Sequence, residues 1–132
     1  MSMKFVYNDG GRSKYFRAKQ VGDCVVRAAA IATQRDYKEV YDLARKVAKC
    51  TPRNGLSKIQ TKRLMEILGG KWQATMSIGS GCKVHLKDGE LPMGRIVCSL
   101  SGHVVAVIDG IVNDTYEDDR NGTRCVYGSW KF

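Results

Sequence analysis

The stretch that decides the fold is QVGDCVVRAAAIAT, residues 20–33, in which a loop leads into an apolar, alanine-rich segment. From Cys24 to about Thr33 the side chains are apolar on nearly every side, and Arg27 is the one charge. A helix of this composition belongs in the middle of a core rather than on a surface. The stretch therefore predicts a buried helix that begins at Cys24. Inside it, Arg27 must reach the surface or find a partner, and a salt bridge is the favoured outcome.

Outward from this helix, the chain changes from helical to β-type patterns. The 3.6-residue period of apolar side chains predicts a second helix that starts at Asp36 and a third over about Ser57–Leu68, which Gly69 and Gly70 stop. Short β-type runs follow, separated by Gly, Asp and Asn: KWQATMS, GRIVCSL, HVVAVI, IVNDTY and RCVYGSW. Helices first and an antiparallel sheet afterwards predict an α+β fold in one domain, residues 1–132.

The N-terminal stretch MKFVYNDGGRSKYF adds one more expected element. It reads as two short strands around the turn residues Asp9, Gly10 and Gly11. We therefore expect an N-terminal β-hairpin.

Charge is unevenly distributed along the chain. Residues 1–75 carry 16 Lys and Arg against 6 Asp and Glu, whereas residues 76–132 carry 6 against 7. A basic half of this kind can attract nucleic acid or an acidic protein surface, and it can equally be a solvated helical face. No apolar run approaches the ~20 residues that span a bilayer, so no membrane contact is expected.

Five cysteines stand at positions 24, 50, 82, 98 and 125. Their number is odd and no pair has C-x-x-C spacing, so the pattern favours neither a disulfide framework nor a zinc site. The N-terminus lacks the long apolar core of a secretory signal, which predicts a cytoplasmic protein with reduced thiols. Export without a signal peptide, or release by host lysis, would still allow a location outside the cytoplasm.

The segment SGHVVAVIDGIVNDTY, residues 101–116, is the most informative part of the second half. Asp109-Gly110 is a strong two-residue hairpin signal between two apolar runs. With that turn, side-chain alternation places His103 and Asp114 on one face, close enough for a hydrogen bond, and Asn113 on the other. A three-residue loop would reverse the assignment and bring Asn113 to His103.

Together these residues supply the parts of a thiol nucleophile system. The N-terminus of a helix stabilises a thiolate on Cys24, as does a cation at Arg27. His103 would take and return the proton, and Asp114 would fix its tautomer and orientation. Asp23 opposes this by its charge, although its side chain should point away from Cys24. Trp72 and Trp130 are expected to be packing residues.

These motifs resemble the papain-like cysteine peptidase superfamily. A Gln, then Cys at the start of a buried helix, then further helices, then a sheet carrying His and Asp, is the chain order of that superfamily. GHVVAVIDGIVNDT is similar to the His–turn–Asp segment of bacteriocin-leader peptidases and small cell-wall endopeptidases. GDCVVRA looks like the cysteine motif of ovarian-tumour-type deubiquitinases, and the whole resembles short papain-like proteins of phages and prophages. The likeness covers roughly residues 20–115.

The resemblance implies a papain-like fold and hydrolysis of a peptide or isopeptide bond in a protein or peptide substrate. Cys24 would be the nucleophile, His103 the base and then the acid, and Asp114 the orienting carboxylate. Gln20 would join the Cys24 backbone N–H in holding the oxyanion, although it lies four residues before Cys24, closer than in the peptidases that use such a Gln. No metal or cofactor is implied. A phage-encoded protein of this kind would act in the host cytoplasm.

The chief alternative is a non-catalytic binding protein on the same fold. Its basic half would contact nucleic acid or an acidic host protein. The sequence contains no recognised nucleic-acid motif, so such contacts would be weak and nonspecific. A catalytically silent papain-like scaffold is a third possibility.

Overall fold

A computed structural model describes residues 4–16, 23–49, 51–52, 55–76, 81–87, 89–115 and 123–132. Three α-helices lie in this part of the chain: α1 Cys24–Thr33, α2 Tyr37–Ala48 and α3 Lys58–Ile67. Six strands accompany them: β1 Lys4–Tyr7, β2 Lys71–Ala74, β3 Arg95–Leu100, β4 His103–Ile108, β5 Ile111–Asp114 and β6 Gly128–Lys131. The class is α+β, with three helices and one mixed sheet.

The six strands form one sheet in the order β1-β5-β4-β3-β6-β2. Four of the pairings are antiparallel, whereas β1 runs parallel to β5 at one edge. The prediction of a purely antiparallel, C-terminal sheet is therefore wrong in one respect. An N-terminal strand joins the sheet and makes it mixed, because the edge of β5 is left free by the β4–β5 hairpin and accepts β1.

The predicted N-terminal hairpin is also wrong. Only its first half is a strand, and the second half is a short 3-10 helix, Arg12–Lys14. The carboxylate of Asp9 accepts the backbone N–H groups of Gly11 at 2.9 Å and Ser13 at 3.1 Å. Those bonds curl the chain into a helical turn instead of returning it as a strand.

Apolar side chains cover both faces of the sheet. On one face α1 packs against β4 and β3, and its residues share a core with α2, α3 and the indole of Trp130. On the other face a second core, which includes Ile96, Val107 and Val126, is closed by loop residues such as Leu86. Within the described residues, no helix has the length and apolar character needed to cross a membrane.

The Asp109-Gly110 turn forms as the sequence predicts. Both residues have positive φ, 48° and 82°, which is the type I′ geometry that suits a two-residue hairpin. The β4–β5 register pairs Ile108 with Ile111 and ends with Ala106 opposite Asn113. Beyond that point β5 stays paired with β1, through Tyr7 and Asp114. His103 and Asp114 therefore lie at the strand ends, outside the paired part of the hairpin.

A disulfide joins Cys82 and Cys125, which lie 43 positions apart in sequence and 5.9 Å apart between Cα atoms. The expectation of reduced thiols throughout is wrong for this pair. Backbone bonds explain the approach: Leu86 N–H donates to Arg124 O at 2.7 Å, and Val126 N–H donates to Val84 O at 2.8 Å. These two backbone hydrogen bonds hold the segments around Cys82 and Cys125 side by side, which the spacing of the cysteines in the sequence does not predict.

Candidate active site

Three of the four predicted site residues come together at the N-terminal end of α1. Cys24 is the first residue of α1, His103 the first of β4 and Asp114 the last of β5. The ring of His103 is hydrogen-bonded to the thiol of Cys24. Its Nε2 lies 2.7 Å from Asp114 Oδ2, so Nδ1 is the ring nitrogen left for the sulfur. The fourth residue, Gln20, lies outside the described residues.

Asp114, rather than Asn113, is the residue bonded to His103. The amide of Asn113 instead accepts from Asn8 Nδ2 at 3.1 Å and donates to Ile111 O at 2.9 Å. The two-residue turn thus settles the geometric alternative that the sequence left open. Asp114 is buried, and the side chain of His103 is only 7% exposed.

The electrostatics of the pair favour a charged state. Burial by itself raises the pKa of the Cys24 thiol, but the hydrogen bond and charge of His103, the Val104 N–H and the cation of Arg27 together bring that pKa below its usual value. Burial lowers the pKa of His103, yet the hydrogen bonds to Asp114 and Cys24 raise it to about 9. Both shifts favour a thiolate–imidazolium pair over a neutral thiol and imidazole.

The N-cap residue of α1 does not cap the helix with its side chain. Asp23 occupies the N-cap position, but its carboxylate makes no capping hydrogen bond to the helix. The first N–H groups of a helix have no intrahelical acceptor, and they carry the positive end of the helix dipole. The Cys24 N–H is one of them, so a donor suited to an oxyanion lies next to the sulfur.

Asp23 turns instead into a buried polar cluster that sequence reasoning missed. Its Oδ1 accepts from Arg12 at 3.2 Å and from Arg27, and its Oδ2 accepts from the Tyr37 hydroxyl at 2.6 Å. Burial and this bond raise the pKa of Tyr37. Asp23 itself is fully buried. As expected, Arg27 finds its partner in a salt bridge.

Gly10 explains how Arg12 reaches that cluster. It has φ +69°, and a Cβ on it would come within 3.0 Å of the Arg27 carbonyl oxygen. The absence of a side chain lets the N-terminal segment approach the backbone of α1 closely, which carries Arg12 to Asp23. The signal in the sequence was the Gly10-Gly11 pair, which reads equally well as a hairpin turn.

A cavity of about 540 Å³ opens beside the Cys24–His103 pair. Its walls come from α1, α3 and the strands β2, β3, β4 and β6 together with neighbouring loop residues. Trp72 and Trp130 pack on each other with ring centroids 4.6 Å apart, and both also line the cavity. The expectation that the two tryptophans are packing residues therefore describes only part of their placement.

Cys98 and His85 are the remaining free thiol and the remaining imidazole among the described residues. Cys98 is a free, buried thiol whose pKa burial raises to about 12, whereas Cys50 is outside the described residues. His85 is half-buried and bonds Glu90 through Nδ1 at 3.1 Å. Among the described residues, no group of three or more His, Cys, Asp or Glu side chains could hold a metal ion.

No protein-family model, curated protein or solved structure matches this chain.

Proposed function

We propose that this protein is a thiol hydrolase with a papain-like fold that cleaves a peptide or isopeptide bond through Cys24, His103 and Asp114. One observation carries the proposal. A single imidazole is bonded on one side to a thiol with a lowered pKa and on the other to a buried carboxylate, and this group lies at the edge of a ligand-sized cavity. A histidine held in this way has the geometry of a proton-transfer group.

The chemistry follows from the charged pair. The Cys24 thiolate attacks the carbonyl carbon, and the carbonyl oxygen becomes an oxyanion that the Cys24 N–H can receive. The His103 imidazolium gives its proton to the departing amine as the C–N bond breaks. Water then attacks the thioester while His103 takes its proton, and release of the acid regenerates thiolate and imidazolium. Asp114 holds the ring in one orientation throughout.

Gln20 is proposed as a second oxyanion donor on the strength of the family resemblance. The variant Gln20→Ala tests this role directly. Loss of the side-chain amide should slow acylation of Cys24 by an ester and leave the alkylation of Cys24 unchanged. Alkylation forms no oxyanion, so it separates the two roles.

An activated ester tests the hydrolase proposal without knowledge of the natural substrate. Incubated with p-nitrophenyl acetate, the protein should release nitrophenolate and carry one acetyl group on Cys24, identified by peptide mass mapping. Cys24→Ser is the loss variant, and Cys98→Ser is the matched control because Cys98 is the other free thiol among the described residues. Equal acetylation of Cys24 and Cys98, or undiminished turnover in Cys24→Ser, would overturn the proposal.

Binding through the basic half of the chain is the second candidate function. Its specific support is the number of exposed cations on α2 and α3, which include Lys38, Arg45, Lys46, Lys62 and Arg63. Such a surface favours an acidic partner, either nucleic acid or an acidic host protein. If the protein only binds such a partner, the Cys24 site would have no catalytic activity. Ester turnover therefore distinguishes the two functions.

A cytoplasmic location, in a host if the gene is carried by a phage, stays a proposal. The Cys82–Cys125 disulfide is a feature more typical of oxidising compartments. The oxidation state of that pair in protein isolated with rapid thiol blocking tests the location.

A further inference from the structure

The residues that line the cavity beside Cys24 indicate what kind of substrate would fit it. We infer that it binds peptides carrying a large apolar side chain next to an acidic residue, with Lys58 and Lys62 selecting the acidic residue. This inference rests on the proposed function for the placement of the scissile bond near Cys24. The binding preference itself can be tested without catalysis.

The apolar half of the inference follows from the cavity walls. Leu56, Leu100, Val104 and the rings of Trp72 and Trp130 line the space together with Cys24 and His103. A volume of about 540 Å³ lies within the roughly 300–1,000 Å³ of ligand pockets. A space of that size takes a large aliphatic or aromatic side chain together with adjoining backbone, and the tryptophan faces favour an aromatic ring.

The acidic half follows from two lysines on α3. Lys58 and Lys62 are four residues apart, so they lie on one face of the helix, and both line the cavity. Both are exposed. Neither forms an ion pair with another described residue. Two cations beside an apolar cavity, with no ion-pair partner in the described part of the chain, complement a carboxylate carried by the molecule that occupies the cavity.

The Cys24→Ser protein is the right material for the test because it binds without turnover. The chain has two tryptophans, Trp72 and Trp130, and both line the cavity, so intrinsic fluorescence reports directly on occupancy. Three matched probes separate the two halves of the inference: acetyl-Glu-Phe-amide, acetyl-Gln-Phe-amide and acetyl-Glu-Gly-amide. None of them contains tryptophan.

We expect a saturable fluorescence change with acetyl-Glu-Phe-amide at up to millimolar concentration. The Gln analogue should bind between about twofold and tenfold more weakly, as for one or two partly exposed ion pairs. The Gly analogue should not saturate. In a Lys58→Gln/Lys62→Gln background the Glu and Gln probes should bind alike, whereas the control pair Arg45→Gln/Lys46→Gln, exposed on α2, should keep the difference.

Equal binding of the Glu and Gln probes would overturn the role of the lysines. Absence of any saturable change, in protein with unaltered circular dichroism, would overturn the cavity as the binding site. These failures are distinct from failure of the proposed function. If Cys24 were not acetylated by the ester but the dipeptides bound with the expected preference, the hydrolase would be wrong and the binding preference would stand.

Discussion

Arg27 reaches the same carboxyl group that holds the imidazole of His103: its NH2 lies 3.5 Å from Asp114 Oδ1, while Oδ2 is bonded to the ring. The Thr115 N–H donates to the same Oδ1 at 2.7 Å. Both carboxyl oxygens are therefore held, and the orientation of the imidazole follows from theirs. Because Arg27 lies one turn after Cys24 in α1, one buried cation ties the helix that carries the thiol to the strand that carries the carboxylate.

Asp114 should matter to the chemistry far more than its neighbour Asn113. Loss of the orienting carboxylate costs a catalytic triad on the order of 10⁴ in turnover when the wrong tautomer results. Asp114→Asn keeps the shape and removes the charge, so we expect a loss approaching that size in ester turnover. Single-turnover acylation of Cys24, followed by stopped-flow absorbance, measures it.

Asn113→Ala is the matched control for that change. The Asn113 amide bonds Asn8 and Ile111, so its removal should disturb packing at the β1 edge and leave acylation within a few-fold of wild type. A stronger effect from Asn113→Ala than from Asp114→Asn would mean that the third member of the site is wrongly assigned.

Asp23 should contribute to stability rather than to chemistry. It is fully buried and accepts from Arg12, Arg27 and Tyr37. Asp23→Asn removes the carboxylate charge that two buried guanidinium groups share, and breaking such a buried pair costs about 3–5 kcal/mol. We expect a fall of that order in the free energy of unfolding, measured by urea denaturation.

Asp42→Asn provides the comparison for that measurement. Asp42 pairs with Lys38 on the surface, with side chains 55% and 46% exposed, and such pairs contribute about 0–1 kcal/mol. If the two variants lost equal stability, the buried cluster would not be the stabilising feature that its contacts suggest.

Periodicity and turn chemistry were enough to predict the helices, most strands and the β4–β5 register. A two-residue Asp109-Gly110 turn predicted the register that forms, and that register places Asp114 rather than Asn113 beside His103. The N-terminal segment was harder because Asp9-Gly10-Gly11 suits a hairpin and a helical turn equally. What decided between them was tertiary: β5 offered a free edge, and α1 offered a backbone that Gly10 could approach.

The buried cluster and the disulfide lie beyond what such patterns can reveal. Arg12 and Asp23 are eleven residues apart and carry no spacing signal, and their contact depends on how the Gly10 segment meets α1. Cys82 and Cys125 are brought together by backbone bonds between loops, not by a motif. Local rules act over a few residues, whereas these contacts are set by the packing of distant segments.

Nucleic-acid binding, if measured, should be weak and nonspecific. Exposed cations on α2 and α3 would neutralise phosphates without reading bases, and such binding falls steeply with salt. We expect fluorescence anisotropy to show the same affinity for unrelated oligonucleotides, lost between about 50 and 200 mM salt. Sequence-dependent binding that survives the higher salt would instead favour the binding protein over the hydrolase.

The Cys82–Cys125 bond should stabilise the fold without touching the site. It closes a span of 43 positions, and a disulfide of this kind contributes about 2–4 kcal/mol, mainly by restricting the unfolded chain. Cys82→Ser/Cys125→Ser should therefore melt several degrees lower, while Cys24 alkylation at 25 °C stays near wild type. Thermal melts with and without reductant are the measurement, since reductant should lower the melting temperature of wild type only. A melting temperature of wild type that ignores reductant would contradict the bond.

The thiolate–imidazolium pair gives the site a distinctive pH dependence. The pKa of Cys24 is lowered and that of His103 is raised from 6.5 to about 9, so both shifts favour the charged pair below about pH 9. Iodoacetamide should therefore alkylate Cys24 at a lower pH than it alkylates an ordinary thiol with a pKa of about 8.5. The titration of His103, followed by NMR of its imidazole, should have its midpoint near pH 9. Cys24→Ser and Asp114→Asn each remove a partner that raises this pKa, so both should move the midpoint down. A midpoint near 6.5 in wild type, unchanged in both variants, would show that the three residues do not act as one unit.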